Sequence, residues 1–168
     1  MKKEYKLNDL IFSLIINAAA LIVSVFLFCP FFEENDDAFL SMISEGAYGM
    51  RDHHLIYSNV IYGRLLVFLN SLIPSVRWHS ILQYIMIFAA MTAVTFLICR
   101  YLKNRLFAVM FVLASFYELY VSLQYSKTAV FVGTAGFILL LCVARLSDIC
   151  MEGEDGTDKE KKVTGRAL

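Results

Sequence analysis

Four long apolar runs, separated by short charged stretches, set the pattern of this chain. Leu10–Phe32 is 23 residues without a charge, and Ser80–Cys99 is 20 more. Leu106–Ser126 is 21 residues long with Glu118 as its one charge, and Thr128–Ala144 adds 17 with none. A helix crosses the hydrocarbon core of a bilayer with about 20 apolar residues. A membrane β-barrel needs apolar and polar residues in alternation, and these runs do not alternate. The pattern predicts an all-α, polytopic membrane protein with spans near 10–32, 80–99, 106–126 and 128–144. The first run is longer than the ~7–15-residue apolar core of a signal peptide and ends in Cys29-Pro30-Phe31-Phe32, which offers no cleavage site. It reads as an uncleaved anchor.

A fifth stretch, Leu55–Ile73, is also long enough to span, but Arg64 stands at its middle, flanked by Asn59 and Asn70. A central arginine costs about 3 kcal/mol on insertion scales. The basic residues decide the matter. If this stretch crosses, five basic residues fall inside and nine outside, with Arg64 left out. If it lies on the outer surface, eleven fall inside (Lys2, Lys3, Lys6, Arg100, Lys103, Arg105, Arg145, Lys159, Lys161, Lys162 and Arg166) and four outside (Arg51, Arg64, Arg77 and Lys127). Positive charge collects on the cytoplasmic side, so the second arrangement is predicted. It gives four spans, both termini cytoplasmic, and one large external segment, 33–79.

Two surface helices are expected in that segment. Asn35-Asp36-Asp37 opens the first, since Asn is a good N-cap and acids face the positive end of a helix. Phe39, Met42 and Ile43 follow at helical spacing, and Gly46 and Gly49 supply a stop. The second is Leu55–Ile73, lying flat with Arg64 snorkelling to the headgroups and Pro74 ending it. Trp78 marks the interface where the next span enters.

Composition agrees with a membrane domain over 1–147. The chain is 59% hydrophobic with a mean hydropathy of +0.64, a net charge of zero and a pI near 6.8, so no nucleic-acid partner is indicated. From Asp148 onward the sequence turns polar and charged, and 148–168 reads as a disordered cytoplasmic tail. Cys29, Cys99, Cys142 and Cys150 form no close pair and read as packing residues. Asp52-His53-His54 lacks a spaced third ligand, so no metal site is assigned. Membrane lipids are the expected surroundings, at the plasma membrane.

The order of these features carries a resemblance. A first span leads at once into NDDAFLSMISEGAYG, then HLIYSNVIYGRLLVFLNSLIPSVRW, then a span ending in the basic turn CRYLKNR. That order resembles the N-terminal part of the type C glycosyltransferase superfamily, polytopic enzymes that use polyprenyl-phosphate-linked sugars. NDDAF and LQYSKTA (Leu123–Ala129) are also similar to a bacterial membrane-protein family within that group. The resemblance implies sugar transfer from a polyprenyl-phosphate donor to an extracytoplasmic acceptor of a cell-envelope glycan. It implies a loop carboxylate as general base, matched by Asp36 or Asp37, with Asp36 the closer by its spacing from the first span. The family carries more spans than four, so the expected partners are a lipid-linked sugar donor and further transferase spans or subunits. No cofactor is called for, and a divalent cation at the leaving phosphate is left open.

Other residues have weaker claims. Glu118 stands near the outer end of the third span, where an acid is a functional candidate or a partner for Lys127 or Arg64. Arg51, Arg64 and Lys127 are external cations that could meet a lipid phosphate or simply snorkel. Tyr57, Tyr62, Tyr84, Tyr117, Tyr120 and Tyr125 read as interface and packing residues. The acids at 36 and 37 also suit a plain helix cap. A second reading is non-enzymatic: a small membrane protein accessory to, or a flippase for, lipid-linked sugars.

Overall fold

The computed structural model describes residues 2–56 and 58–164, with side chains over 7–56 and 58–144. Among the described residues the chain is all-helical apart from one short strand pairing. Helix α1 covers Lys2–Leu27, α2 Asn35–Glu45, α3 Val60–Leu72, α4 Trp78–Leu97, α5 Arg105–Phe116 and α6 Tyr125–Thr164. Two π-helical turns, Ile98–Leu102 and Tyr117–Val121, extend α4 and α5. The chain divides into two compact units, 1–132 and 133–168.

Leu7–Leu27, Trp78–Leu102 and Tyr125–Ala144 are long and apolar enough to cross a membrane. The third expected span, 106–126, is shorter as a helix. It runs through α5 and its π turn to Val121 and then becomes strand at Ser122–Leu123. The first expected span also stops early, at Leu27, ahead of Pro30. Proline lacks the N–H a helix needs and biases the residue before it away from helical geometry. The chain then turns extended, and Phe31–Phe32 (β1) pairs in parallel with Ser122–Leu123 (β2).

This pairing fixes directions. Arg105 forms an ion pair with Asp9 at 3.3 Å and lies over the ring of Phe12. So α1 and α5 start together, and through β1 and β2 they end together. They run parallel and touch each other, with α4 packed against both in the opposite sense, tied to α1 by Asn17 Nδ2 donating to Thr95 Oγ1 at 3.1 Å. Ile87, Met91, Val112, Leu119, Tyr120 and Leu123 form the core of this bundle.

The burial pattern is inverted relative to a water-soluble helix. On α1 the fully buried side chains are Ser13, Asn17 and Ser24, while Ile11, Ile15, Ile22, Phe26 and Leu27 are exposed. In lipid the apolar face has no reason to hide, and the polar groups turn inward to find partners.

In the 33–79 segment, α2 starts at Asn35 with Glu34 rather than Asn35 in the cap position and with Asp36 and Asp37 in its first turn. Gly46 ends it in the left-handed region, φ 86°, its N–H bonding back to Met42 and Ile43. Helix α3 is shorter than the expected 55–73 because Asn59 caps it, its side chain accepting from the Ile61 N–H at 2.8 Å. Leu40, Leu55 and Leu66 form a second core beneath Trp78, Leu82 and Tyr125. Helix α6 continues through 148–164, where a disordered tail is expected. Its Glu and Lys residues are good helix formers and no proline interrupts them.

Candidate functional site

The acidic pair that opens α2 is split by the helix. Neighbouring helical residues point about 100° apart. Asp37 turns inward and is 2% exposed, while Asp36 faces out.

Every contact of the Asp37 carboxylate is a donor. The Tyr125 backbone N–H, the first of α6, donates to Oδ1 at 3.0 Å and to Oδ2 at 3.1 Å. His79 Nε2 and Gln83 Nε2 each lie 2.9 Å from Oδ1. His79 and Gln83 are one turn apart on the first turns of α4, so both reach the same oxygen. The anion also sits at the positive end of α6, where the free N–H groups gather. With its proton on Nε2, His79 uses Nδ1 as an acceptor, 3.0 Å from the Tyr62 hydroxyl on α3. A chain of polar contacts therefore runs Tyr62–His79–Asp37–Tyr125 and joins α3, α4, α2 and α6.

Aromatic rings enclose it. The His79 ring lies 5.7 Å from Phe32, 5.9 Å from Tyr62 and 6.1 Å from Tyr125. Burial pushes the Tyr62 hydroxyl well above the ordinary tyrosine value, so it stays a donor. Thr128 Oγ1 reaches Gln83 Oε1 at 3.5 Å and completes the buried polar set.

A second cluster lies beside it. Lys127 Nζ bonds Glu33 Oε2 and lies 3.0 Å from Glu118 Oε2, while Ser122 Oγ donates to Glu33 at 2.8 Å. The hydrogen bonds from Lys127 and Ser122 hold the Glu33 carboxyl below its ordinary range. Glu118 and Lys127 thus meet, as the sequence allowed, and Glu33 joins them. The strand pairing is what brings Glu33 there, through Glu33 N–H donating to Leu123 C=O at 2.9 Å.

The remaining candidates stand apart. Arg51 is exposed, with Nη1 3.1 Å from Ser71 Oγ and Nε 3.4 Å from the Glu45 carbonyl. Arg64 is exposed on α3 and makes no hydrogen bond or ion pair among the described residues. Tyr57 lies outside the described residues.

Sequence reasoning missed His79 and Gln83 and took Tyr62 and Tyr125 for packing. The signal was present: His79 and Gln83 stand four residues apart at the mouth of an otherwise apolar helix, where a polar pair needs a buried partner. No protein-family model matches this chain, and no curated protein or solved structure matches it.

Proposed function

We propose that the chain is a membrane module of a glycosyltransferase-like protein, transferring a sugar from a polyprenyl-phosphate donor to an extracytoplasmic acceptor. The observation that carries this reading is the anchoring of the acidic pair. Asp37 is locked by His79, Gln83 and the start of α6, and this leaves Asp36 presented outward from a fixed helix start. In the proposed reaction the acceptor hydroxyl attacks the anomeric carbon, and Asp36 takes its proton. The bond from that carbon to the phosphate oxygen breaks, and the lipid phosphate leaves with the electron pair. Arg51 and Arg64 are the cations with freedom to meet that phosphate. Lys127 is already neutralised by two acids. Further spans or subunits complete the donor pocket.

The topology of this reading is four spans with 33–79 outside, at the plasma membrane, and both termini cytoplasmic. Supporting it, Phe32 and Asp37 meet His79 and Tyr125 at one end of the bundle. The chain thus enters and leaves 33–79 at the same end, which suits a segment that does not cross. The parallel course of α1 and α5 supports a fourth span at 105–121.

The test is a transfer assay in membranes, with the chain alone and with its co-encoded membrane proteins. Asp36→Asn should lower the rate by about 10²- to 10⁴-fold with little change in stability. Transfer that survives Asp36→Asn, Asp37→Asn would refute the base assignment. The closed Glu33–Lys127–Glu118 cluster favours a second reading, a non-catalytic accessory or flippase for lipid-linked sugars. Donor binding without turnover, indifferent to Asp36→Asn, would select it.

A further inference from the structure

The loop between α2 and α3 holds a second chemical grouping. Adjacent residues of an extended chain face opposite sides. At Asp52-His53-His54 the backbone bends, and the three side chains converge. Asp52 Oδ1 lies 2.9 Å from His54 Nδ1 and 4.0 Å from His53 Nδ1. The three donor atoms all lie within 4.8 Å of one another. The two imidazole rings are 4.1 Å apart between centroids.

The backbone beneath them is pinned at three points. The Asp52 N–H donates to the Ile43 carbonyl at 3.4 Å. The His53 carbonyl packs directly on Gly63, where a Cβ would overlap it. Leu55 is buried, 7% exposed, against Leu40 and Leu66. With the backbone held this way, the ordering cost on binding falls on the three side chains alone, and that favours binding. Two imidazole nitrogens and one carboxylate oxygen form a borderline donor set. Zinc, copper and nickel prefer it, whereas magnesium and calcium prefer oxygen alone.

We propose that Asp52, His53 and His54 bind a divalent transition-metal ion of the zinc class, through Asp52 Oδ1 and both Nδ1 atoms. Water fills the open positions. With ligand distances of about 2.0–2.1 Å, tetrahedral donors sit about 3.3 Å apart. The 2.9 Å contact therefore opens and the 4.0 Å contact closes, each by a few tenths of an ångström or a little more. Both imidazoles coordinate as neutral rings with the proton on Nε2, which the exposed setting of the loop permits. The site rests on this loop alone and is independent of the sugar-transfer reading.

The test uses the full chain in detergent micelles and reads metal binding without turnover. Zn²⁺ titrated calorimetrically should bind at one equivalent, and Cu²⁺ should give a paramagnetic resonance spectrum with two nitrogen ligands. Losing an outer-shell partner typically weakens metal binding 10–100-fold, and losing a direct ligand should cost at least as much. His54→Gln and Asp52→Asn should therefore each weaken Zn²⁺ binding by roughly tenfold or more. The side chains are exposed, so both variants should keep the helical circular dichroism of the parent. Absence of Zn²⁺ binding by the parent chain would overturn the proposal. So would Zn²⁺ binding that persists undiminished in D52N/H53Q/H54Q, since thiolates or other groups would then be the ligands.

Discussion

Asp37 accepts from three groups on two different helices, and its chemistry follows from that company. Burying a carboxylate is costly unless its lone pairs are used, and here every contact is an N–H. Removing the acceptor leaves the donors behind in a dry place. Each such group costs about 1–3 kcal/mol. Asp37→Ala should therefore destabilise the chain by several kcal/mol, read as a lower midpoint of thermal unfolding in detergent. Asp36→Ala should change that midpoint little, because Asp36 is exposed. Equal effects from the two would mean that the split between the acids is not what the geometry indicates. Glu33 offers a pH counterpart. Its folded carboxyl lies below the ordinary glutamate value because Lys127 and Ser122 donate to it. A depressed pKa contributes stability that is present above the unfolded value and lost as pH falls through the folded one. Acidification into that range should loosen the Glu33–Lys127 tie, and Glu33→Gln should remove that part of the acid sensitivity. At this scale the sequence revealed which residues are acids and that two of them open a helix. Which acid turns inward depends on His79, 42 residues away in the chain, and on α6. No local pattern carries that information.

Elements were more legible, and their misjudged ends have local causes. Long apolar runs gave the helices, and Pro74 and Gly46 gave two of the stops. The run ending at Phe32 hid a break at Pro30, because phenylalanines beyond it look as apolar as a span. The end of 106–126 was hidden in the same way: Ser122–Leu123 is strand only because Phe31–Phe32 is there to pair with it. Gly63 shows the reverse, a residue whose role only packing reveals. A Cβ there overlaps the His53 carbonyl, backbone that cannot swing aside. Gly63→Ala should push α3 from the 52–54 loop and cost about 1–3 kcal/mol, the range for overpacking. An unchanged unfolding midpoint would show that the loop gives way. Asn17 ties α1 to α4 from a buried position, and Asn17→Leu should lose roughly 0.6–2 kcal/mol, the range for polar ties between membrane helices. A neutral or stabilising result would show that its unpartnered Oδ1 costs as much as the tie contributes.

For the whole molecule, the proposed orientation draws on charge counting for its sense and on contacts for telling the two ends apart. Charge counting sets eleven basic residues against four when 33–79 stays outside. Contacts put one counted residue at each end: Arg105 meets Asp9 at one end of the bundle, and Lys127 gathers with Glu33, Asp37, His79 and Ser122 at the other. In the proposed topology the Arg105 end is the cytoplasmic one, as the positive-inside rule favours. The turn 102–104 between α4 and α5 belongs with it, and Lys103 holds it open in the left-handed region at φ 51°. The prediction is that Lys103→Cys is shielded from a membrane-impermeant thiol reagent in sealed cells, while Arg51→Cys and Arg77→Cys are labelled. The background should have the native cysteines replaced by serine, because Cys29 is exposed near the opposite end. Arg64 supplies the sharper arm. If α3 stays at the surface because its arginine resists the hydrocarbon, Arg64→Leu removes about 3 kcal/mol of that resistance. Labelling at 77 should then fall in the Arg64→Leu chain, as a fraction of molecules threads α3 across and carries residue 77 to the other side. External labelling at 103 in the unaltered topology would refute the four-span arrangement. Labelling at 77 that ignores Arg64→Leu would mean that the Asp37–His79 contact, rather than the arginine, keeps α3 at the surface.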